Sequence, residues 1–151
     1  MRLSTKGRYA VMAMTDLAAH AGDCGARGAV ALAEIAERQQ ISLAYLEQLF
    51  ARLRRKGVVE SVRGPGGGYR LARGAAETSI ADIVHAVDEP LKTVRCAGEG
   101  KLGCLKGGKR CATHALWDAM GRHIEGFLAG VSLADVLDGR FPPAPLREEA
   151  A

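Results

Sequence analysis

The sequence predicts a mainly α-helical chain with one small two-stranded β element, and three observations carry that prediction. Apolar residues recur at helical spacing through residues 5–20, 30–40, 41–57, 79–90 and 113–130. Beyond Gly57 the period changes to alternation in VVESVRG, and YRLAR resumes it after the run GPGGG, so two antiparallel strands flank a glycine-rich tip. The 151 residues are 48% apolar and 25% charged, which suits one compact domain with an appended element and is unlike a disordered chain.

The first helix runs from Thr5 to His20, with Tyr9, Met12, Ala13, Leu17 and Ala18 as its apolar face and Gly22 and Gly25 closing it. The second, in VALAEIAERQQ, places Leu32, Ile35 and Ala36 on one side. The third has Ser42 as N-cap, Leu46, Leu49, Phe50 and Leu53 inside, and Gly57 as its stop. Three or four residues separate these two helices, which is helix-turn-helix spacing, and the β element behind them is then a wing. Ser79 opens a fourth helix with Asp82 at capping-box spacing, and Pro90 forbids its continuation. A long helix from about residue 113 carries Leu116, Met120, Ile124, Phe127 and Leu128 on one stripe, and a short last helix starts at Ser132 with Asp135 three residues on. The expected organisation is a winged helix-turn-helix unit over residues 1–78, helices over 79–139 interrupted by a loop at 92–114, and a flexible tail over 140–151.

The first residues lack the order of a secretory leader and no run approaches eighteen apolar positions, so the expectation is a cytoplasmic chain that does not enter a membrane. Catalysis is not expected, because no nucleophile and base are spaced as in a hydrolase and GPGGG lacks the Lys-Ser/Thr end of a phosphate loop. The net charge of +4 is unevenly placed. Residues 1–73 carry twelve Lys/Arg against six Asp/Glu, and residues 74–151 carry nine against eleven. A basic front half joined to a slightly acidic remainder points to an anionic polymer as partner.

In a helix-turn-helix the first residues of the second helix reach base edges in the major groove, while the wing and the neighbouring helix meet the backbone of double-stranded DNA. Here those residues are Ser42, Ala44, Tyr45, Glu47 and Gln48. Gln48 can pair with adenine, Tyr45 can donate to phosphate, and Glu47 can accept from the cytosine amine but is repelled by phosphate in a poorer register. Arg63 at the wing entrance and Arg70 on the return strand are placed for phosphate or a minor groove, with Arg52, Arg54, Arg55 and Lys56 adding field and Arg2 and Lys6 an arm. The rival from a different class is an electron carrier or cluster-transfer protein whose winged helix binds another protein. The basic half and the wing weigh against it.

RCAGEGKLGCLKGGKRCATH, residues 95–114, sets three cysteines and a histidine among glycines and lysines, with too few apolar side chains to order the segment by burial. Four cysteines in a cytosolic chain argue for metal or redox chemistry over a disulfide framework. Seven residues separate Cys96 from Cys104, six separate Cys104 from Cys111, and two separate Cys111 from His114. The last pair project toward one point if the long helix begins there. Such donors fit either a zinc ion or an iron-sulfur cluster, and only the Cys111/His114 half has the tight spacing of a zinc knuckle. Cys24 reads as an incidental small residue, and His20, His85 and His123 as helix-surface or core residues.

MRLSTKGRYAV, ISLAYLEQLFARLRRKGVVESVRGPGGGYRL and CATHALW together resemble the iron-sulfur cluster regulators of the Rrf-type winged-helix transcription factors, over roughly residues 1–139. RGPGGGY is a signature of that family, and CATHALW points to its cluster regulators rather than its nitric-oxide sensors. The resemblance implies a homodimeric repressor and activator with a 2Fe-2S cluster on Cys96, Cys104, Cys111 and His114, sensing cluster supply and adjusting transcription of cluster-assembly genes at promoter operators. It implies cluster-assembly proteins as donors. It also implies a long C-terminal dimerisation helix paired with its dyad mate, which sets two half-sites roughly 34 Å apart. By position, the family's DNA contacts fall on Ser42, Tyr45, Glu47, Gln48, Ser61, Arg63, Gly64 and Pro65. Two departures stand out: the first two inter-cysteine gaps are longer than in close relatives of that kind, and Ala44 stands where serine is common. A zinc-bound or nitric-oxide-sensing regulator of the same fold is the nearest alternative.

Overall fold

Side-chain caps decide where most of the helices begin. In the computed structural model, which describes residues 4–21, 28–87, 103–105 and 107–143, Ser4 Oγ accepts from the Lys6 N–H and starts α1 (Thr5–His20). α2 (Leu32–Gln39) and α3 (Leu43–Arg55) follow, the latter capped by Ser42, whose Oγ accepts from the Tyr45 N–H at 3.3 Å. β1 (Val59–Val62) and β2 (Gly68–Leu71) pair antiparallel, a 3-10 turn covers Ala75–Glu77, and α4 (Ile80–Ala86), α5 (His114–Ala129) and α6 (Leu133–Asp138) complete the order. Ser79 and Ser132 cap α4 and α6 through the boxes that Asp82 and Asp135 complete. The expected helix-turn-helix and wing are present. Arg2, Gly22, Cys24, Gly25, Pro90, Cys96 and the tail from 144 lie outside the described residues.

α3 buries Leu46, Leu49, Phe50 and Leu53, as its period predicts, each burial being worth about 2 kcal/mol. On α1 the expected face is only partly right: Met12 is 37% exposed, while Met14 is wholly buried with Ala10, Ala13 and Leu17. α1 is apolar nearly all round, so period alone does not choose the inward stripe. The elements packed on it do: α2, α3, α4, α6 and β2 all meet α1. Ile80, Ile83, Val84, Val87, Val131 and Leu133 join the same core as the α1 and α3 residues. The starts of α4 and α6 are stitched together by the Ile80 N–H to Val131 C=O and Leu133 N–H to Thr78 C=O bonds, at 2.9 and 3.0 Å.

The turn between α2 and α3 consists of Gln40, Ile41 and Ser42, and Gln40 takes φ 52°, ψ 44°, a left-handed C-cap filled by a residue other than glycine. The wing is held to the body by Val30, which exchanges N–H···O=C bonds of 2.8 Å with Tyr69 in both directions. The Tyr69 ring meets Phe50 edge-on with centroids 5.0 Å apart. This pairing explains one glycine of the wing. Gly68 sits at φ +155° with the Val30 carbonyl where its Cβ would be, so the close approach it permits is to the protein's own backbone. Thermal melts are expected to show Gly68→Ala losing about 2–4 kcal/mol. Gly66→Ala, at φ +71° with open space around it, should lose only about 1–2 kcal/mol.

A polar clamp inside this apolar frame ties α1 to α2. Asp16 is 2% exposed in its side chain and takes a forked bond from Arg38, Nη2 to Oδ1 at 2.6 Å and Nε to both oxygens at 3.1 Å, plus Gln39 Nε2 to Oδ2 at 2.7 Å. Burial works to raise the Asp16 pKa, but the Arg38 and Gln39 hydrogen bonds and the Arg38 and His20 charges outweigh it and hold the carboxyl below its ordinary value. A carboxyl lowered by folding stabilises the fold above its unfolded pKa of about 4, and that contribution is lost as pH falls through the folded value. In urea titrations Arg38→Ala, which strips the buried carboxylate of its guanidinium, should lose about 3 kcal/mol at neutral pH. Asp16→Asn should also be less stable than wild type at pH 7, with the gap narrowing below about pH 4; a gap unchanged at pH 3 would contradict the clamp's charge.

Candidate nucleic-acid interface and candidate metal loop

The exposed side of α3 collects the sequence-predicted base-reading residues. Ser42, Ala44, Glu47 and Gln48 are exposed along it, together with Leu43 at 42%. Tyr45 is half-buried, its ring edge-on to Tyr9 of α1 with centroids 6.0 Å apart and planes at 82°, so α1 braces it. The Ser42 oxygen is engaged as cap acceptor, which leaves its O–H to donate outward.

The wing tip is a built turn. The Gly67 N–H donates to the Gly64 C=O at 2.9 Å, Pro65 holds the second place and Gly66 the third at φ +71°, the residue pattern of a type II turn. Arg63 is exposed immediately ahead of it, and Ser61, also exposed, accepts from Arg54 Nη1 at 3.4 Å, linking the basic end of α3 to β1. Arg70 stands directly across from Glu60 in the strand register, and the two form an ion pair at 2.8 Å, so part of the positive charge expected on the return strand is neutralised within the wing. The expected contacts Ser42, Tyr45, Glu47, Gln48, Ser61, Arg63, Gly64 and Pro65 thus fall on two neighbouring features, the front of α3 and the wing.

The loop ahead of α5 brings two of the predicted metal-binding residues together. Cys104 Sγ lies 3.2 Å from His114 Nδ1, and both are half-buried. The segment between them turns back through Leu105 N–H to Lys109 C=O at 3.1 Å and Gly108 N–H to Leu105 C=O at 3.2 Å. A Cβ on Gly103 would collide with the Gly108 and Lys109 carbonyls, so the close return depends on that glycine. Cys111 stands ahead of the helix. α5 starts at His114, whose N–H closes a turn on the Cys111 C=O at 3.1 Å, and Cys111 Sγ lies 3.6 Å from Thr113 Oγ1, which accepts from Trp117 Nε1 at 3.2 Å. Cys96, the fourth expected ligand, lies outside the described residues. Among the described residues no three His, Cys, Asp or Glu side chains converge as a metal site. The donor chemistry of two thiols and an imidazole, with Cys104 and His114 already in contact, fits a soft or borderline centre such as zinc or an iron-sulfur cluster. Thr113 and Trp117 escape the spacing argument, since neither is a metal ligand type.

α5 itself buries no residue: Leu116 is 61% exposed, Trp117 43% and Phe127 42%, while Leu128 packs against the core. It is joined to α4 by His85 Nε2, 3.0 Å from Glu125 Oε1. His85 and His20 thus serve pairing, His20 through Asp16. Among the described residues no helix is long and apolar enough to cross a membrane.

A helix that presents polar side chains beside a glycine-tipped wing is the reading head of a winged helix-turn-helix regulator of transcription, and the comparisons with known proteins agree. The chain belongs to the Rrf2 family of iron-dependent transcriptional regulators, whose profile matches residues 3–139. The HTH-type transcriptional regulator IscR of Photorhabdus laumondii is 52% identical over 140 residues, 93% of this chain and 81% of that protein. Its namesake in Xenorhabdus nematophila is 53% identical over 137 residues, 91% of this chain and 79% of that one. Among solved structures, T. potens IscR superposes with a TM-score of 0.71 at 38% identity, covering 95% of this chain and 94% of that one. CymR, the global cysteine regulator of B. subtilis, gives 0.74 at 29% identity, covering 92% and 98%. These relatives are transcriptional regulators and not enzymes.

Proposed function

We propose that this chain is a cytoplasmic, iron-sulfur cluster-sensing regulator that binds promoter operators as a homodimer and adjusts transcription of cluster-assembly genes, repressing some and activating others. The contact between Cys104 Sγ and His114 Nδ1 at the head of α5 carries the reading, because it gathers metal-binding groups in a glycine-lysine segment attached to a DNA-reading head. The similarity to proteins named IscR supports it. Cys96, Cys104, Cys111 and His114 would hold a 2Fe-2S cluster received from cluster-assembly proteins. When bound, the cluster supplies a cross-link that exists only while iron and sulfide are available.

The chain's own residues do the rest. His114 and Glu125 share α5, so anything that fixes His114 also fixes the helix that meets His85 of α4. α4 packs on α1, and α1 packs on α2 and α3, so one series of packed elements joins the loop to the reading face. The exposed Leu116 and Phe127, with Met120 and Ile124, form the α5 stripe on which two copies would pair. Residues 1–78 then act as the DNA-binding unit and 79–139 as the dimerising and sensing unit. Ser42, Tyr45, Glu47 and Gln48 read the major groove, and Ser61, Arg63, Gly64 and Pro65 meet the backbone.

Protein purified without exposure to air is expected to be red-brown and to contain iron and acid-labile sulfide in equal amounts, and His114→Ala to lose iron affinity by ~10-fold or more. A colourless, zinc-containing protein would instead support the zinc-bound alternative. In a gel-shift titration at fixed salt, Arg63→Ala should weaken duplex binding by about 1–3 kcal/mol. Unchanged affinity would remove Arg63 from the contact list.

A further inference from the structure

We propose, resting on the cluster-bearing reading above, that Thr113 is a positioning residue for Cys111, its hydroxyl donating to the Cys111 sulfur when that sulfur is a metal ligand, with Trp117 fixing the direction of the bond. The first observation is a missing cap. Thr113 occupies the N-cap of α5, where a threonine hydroxyl ordinarily accepts from the first turn and stabilises the helix by about 1 kcal/mol, yet its side chain makes no cap bond. Ser4, Ser42, Ser79 and Ser132 hold the same place in α1, α3, α4 and α6, and each turns its oxygen onto its own helix. Thr113 alone of these five is turned away.

Its hydroxyl faces Cys111 Sγ at 3.6 Å and Trp117 Nε1 at 3.2 Å. The two contacts have fixed polarity once Cys111 is a ligand. An indole N–H only donates, so it takes a lone pair of the Thr113 oxygen, and a metal-bound thiolate has no hydrogen, so the Thr113 O–H must be the donor to sulfur. The order of donation is then Trp117 to Thr113 to Cys111. Trp117 is one turn beyond Thr113 on α5, where the Trp117 N–H also donates to the Thr113 C=O at 3.2 Å, so the helix presents the indole to the hydroxyl. A hydrogen bond onto a ligand sulfur withdraws electron density from it, which favours the more reduced state of a bound cluster and orients the ligand.

The test uses the full chain, reconstituted without air from ferric iron and sulfide, as wild type, Thr113→Val, Thr113→Ser and Trp117→Phe. Valine keeps the shape of threonine and removes only the hydroxyl, and no cap bond is there to lose. Thr113→Val is expected to lower the midpoint potential in a dithionite titration and to speed loss of visible absorbance to a chelator by ~10-fold. Thr113→Ser should restore both, Trp117→Phe should fall between, and far-ultraviolet circular dichroism should show the same helix content throughout. A Thr113→Val protein with wild-type potential and loss rate overturns this proposal alone, as does a Thr113→Ser protein no better than Thr113→Val. A wild type that takes up neither iron nor sulfide overturns the cluster reading and this proposal with it.

Discussion

Everything in this structure is arranged around the small side chains of α1. Gly7, Ala10 and Ala13 are buried, and their size lets neighbouring backbones come close along a helix of only sixteen residues. Five other elements use that wall: α2 and α3 of the reading head, the wing strand β2, and α4 and α6 from the later half of the chain. A larger side chain at Ala10 or Ala13 would push them apart together, because all five pack on this one helix. The reading head and the later half of the chain therefore share one packed element.

The polar features follow from the same crowding. Asp16 lies on the crowded side of α1, and the fork from Arg38 with the amide of Gln39 satisfies it. Among the described residues no buried side-chain nitrogen or oxygen lacks a partner. In exchange for burying a charge, the protein gains an orientation: Arg38 and Gln39 end α2 at the turn into α3, so the clamp sets how the reading helix leaves α1. The wing is set similarly, by Val30 and Tyr69. One glycine of its signature, Gly68, serves that internal pairing, while Gly64 and Gly66 shape the turn at the tip.

What was legible in the sequence was local chemistry. Ser42, Ser79 and Ser132 announce their helices because a hydroxyl at an N-cap works within three residues, and Leu46, Leu49, Phe50 and Leu53 are inside because α3 has one apolar and one polar side. The change of period at Gly57 gave the wing for the same reason. Met12 and Met14 exchanged places because α1 is apolar on both sides, so only tertiary packing chooses between them. Gln40 gave no sign of its left-handed backbone, since glutamine is not a residue that favours it, and Val30 gave no sign of a bridge to Tyr69 nearly forty positions away. At the loop, spacing set Cys104 and His114 in one group, and the two lie 3.2 Å apart; Cys111 stands three residues ahead of the helix start, and spacing passed over Thr113 because the partners of a hydroxyl are visible only in the fold.

The two halves of the proposed mechanism meet in one physical link: occupancy at the head of α5 alters how α3 and the wing sit on DNA. Repeated selection of duplexes from a random pool, run in parallel with anaerobically loaded and cluster-free protein at one salt concentration, measures that link directly. Coupling predicts two distinct preferred sets, with one shifted away from the other at positions under Glu47 and Gln48. The same set recovered with equal affinity from both forms would contradict it.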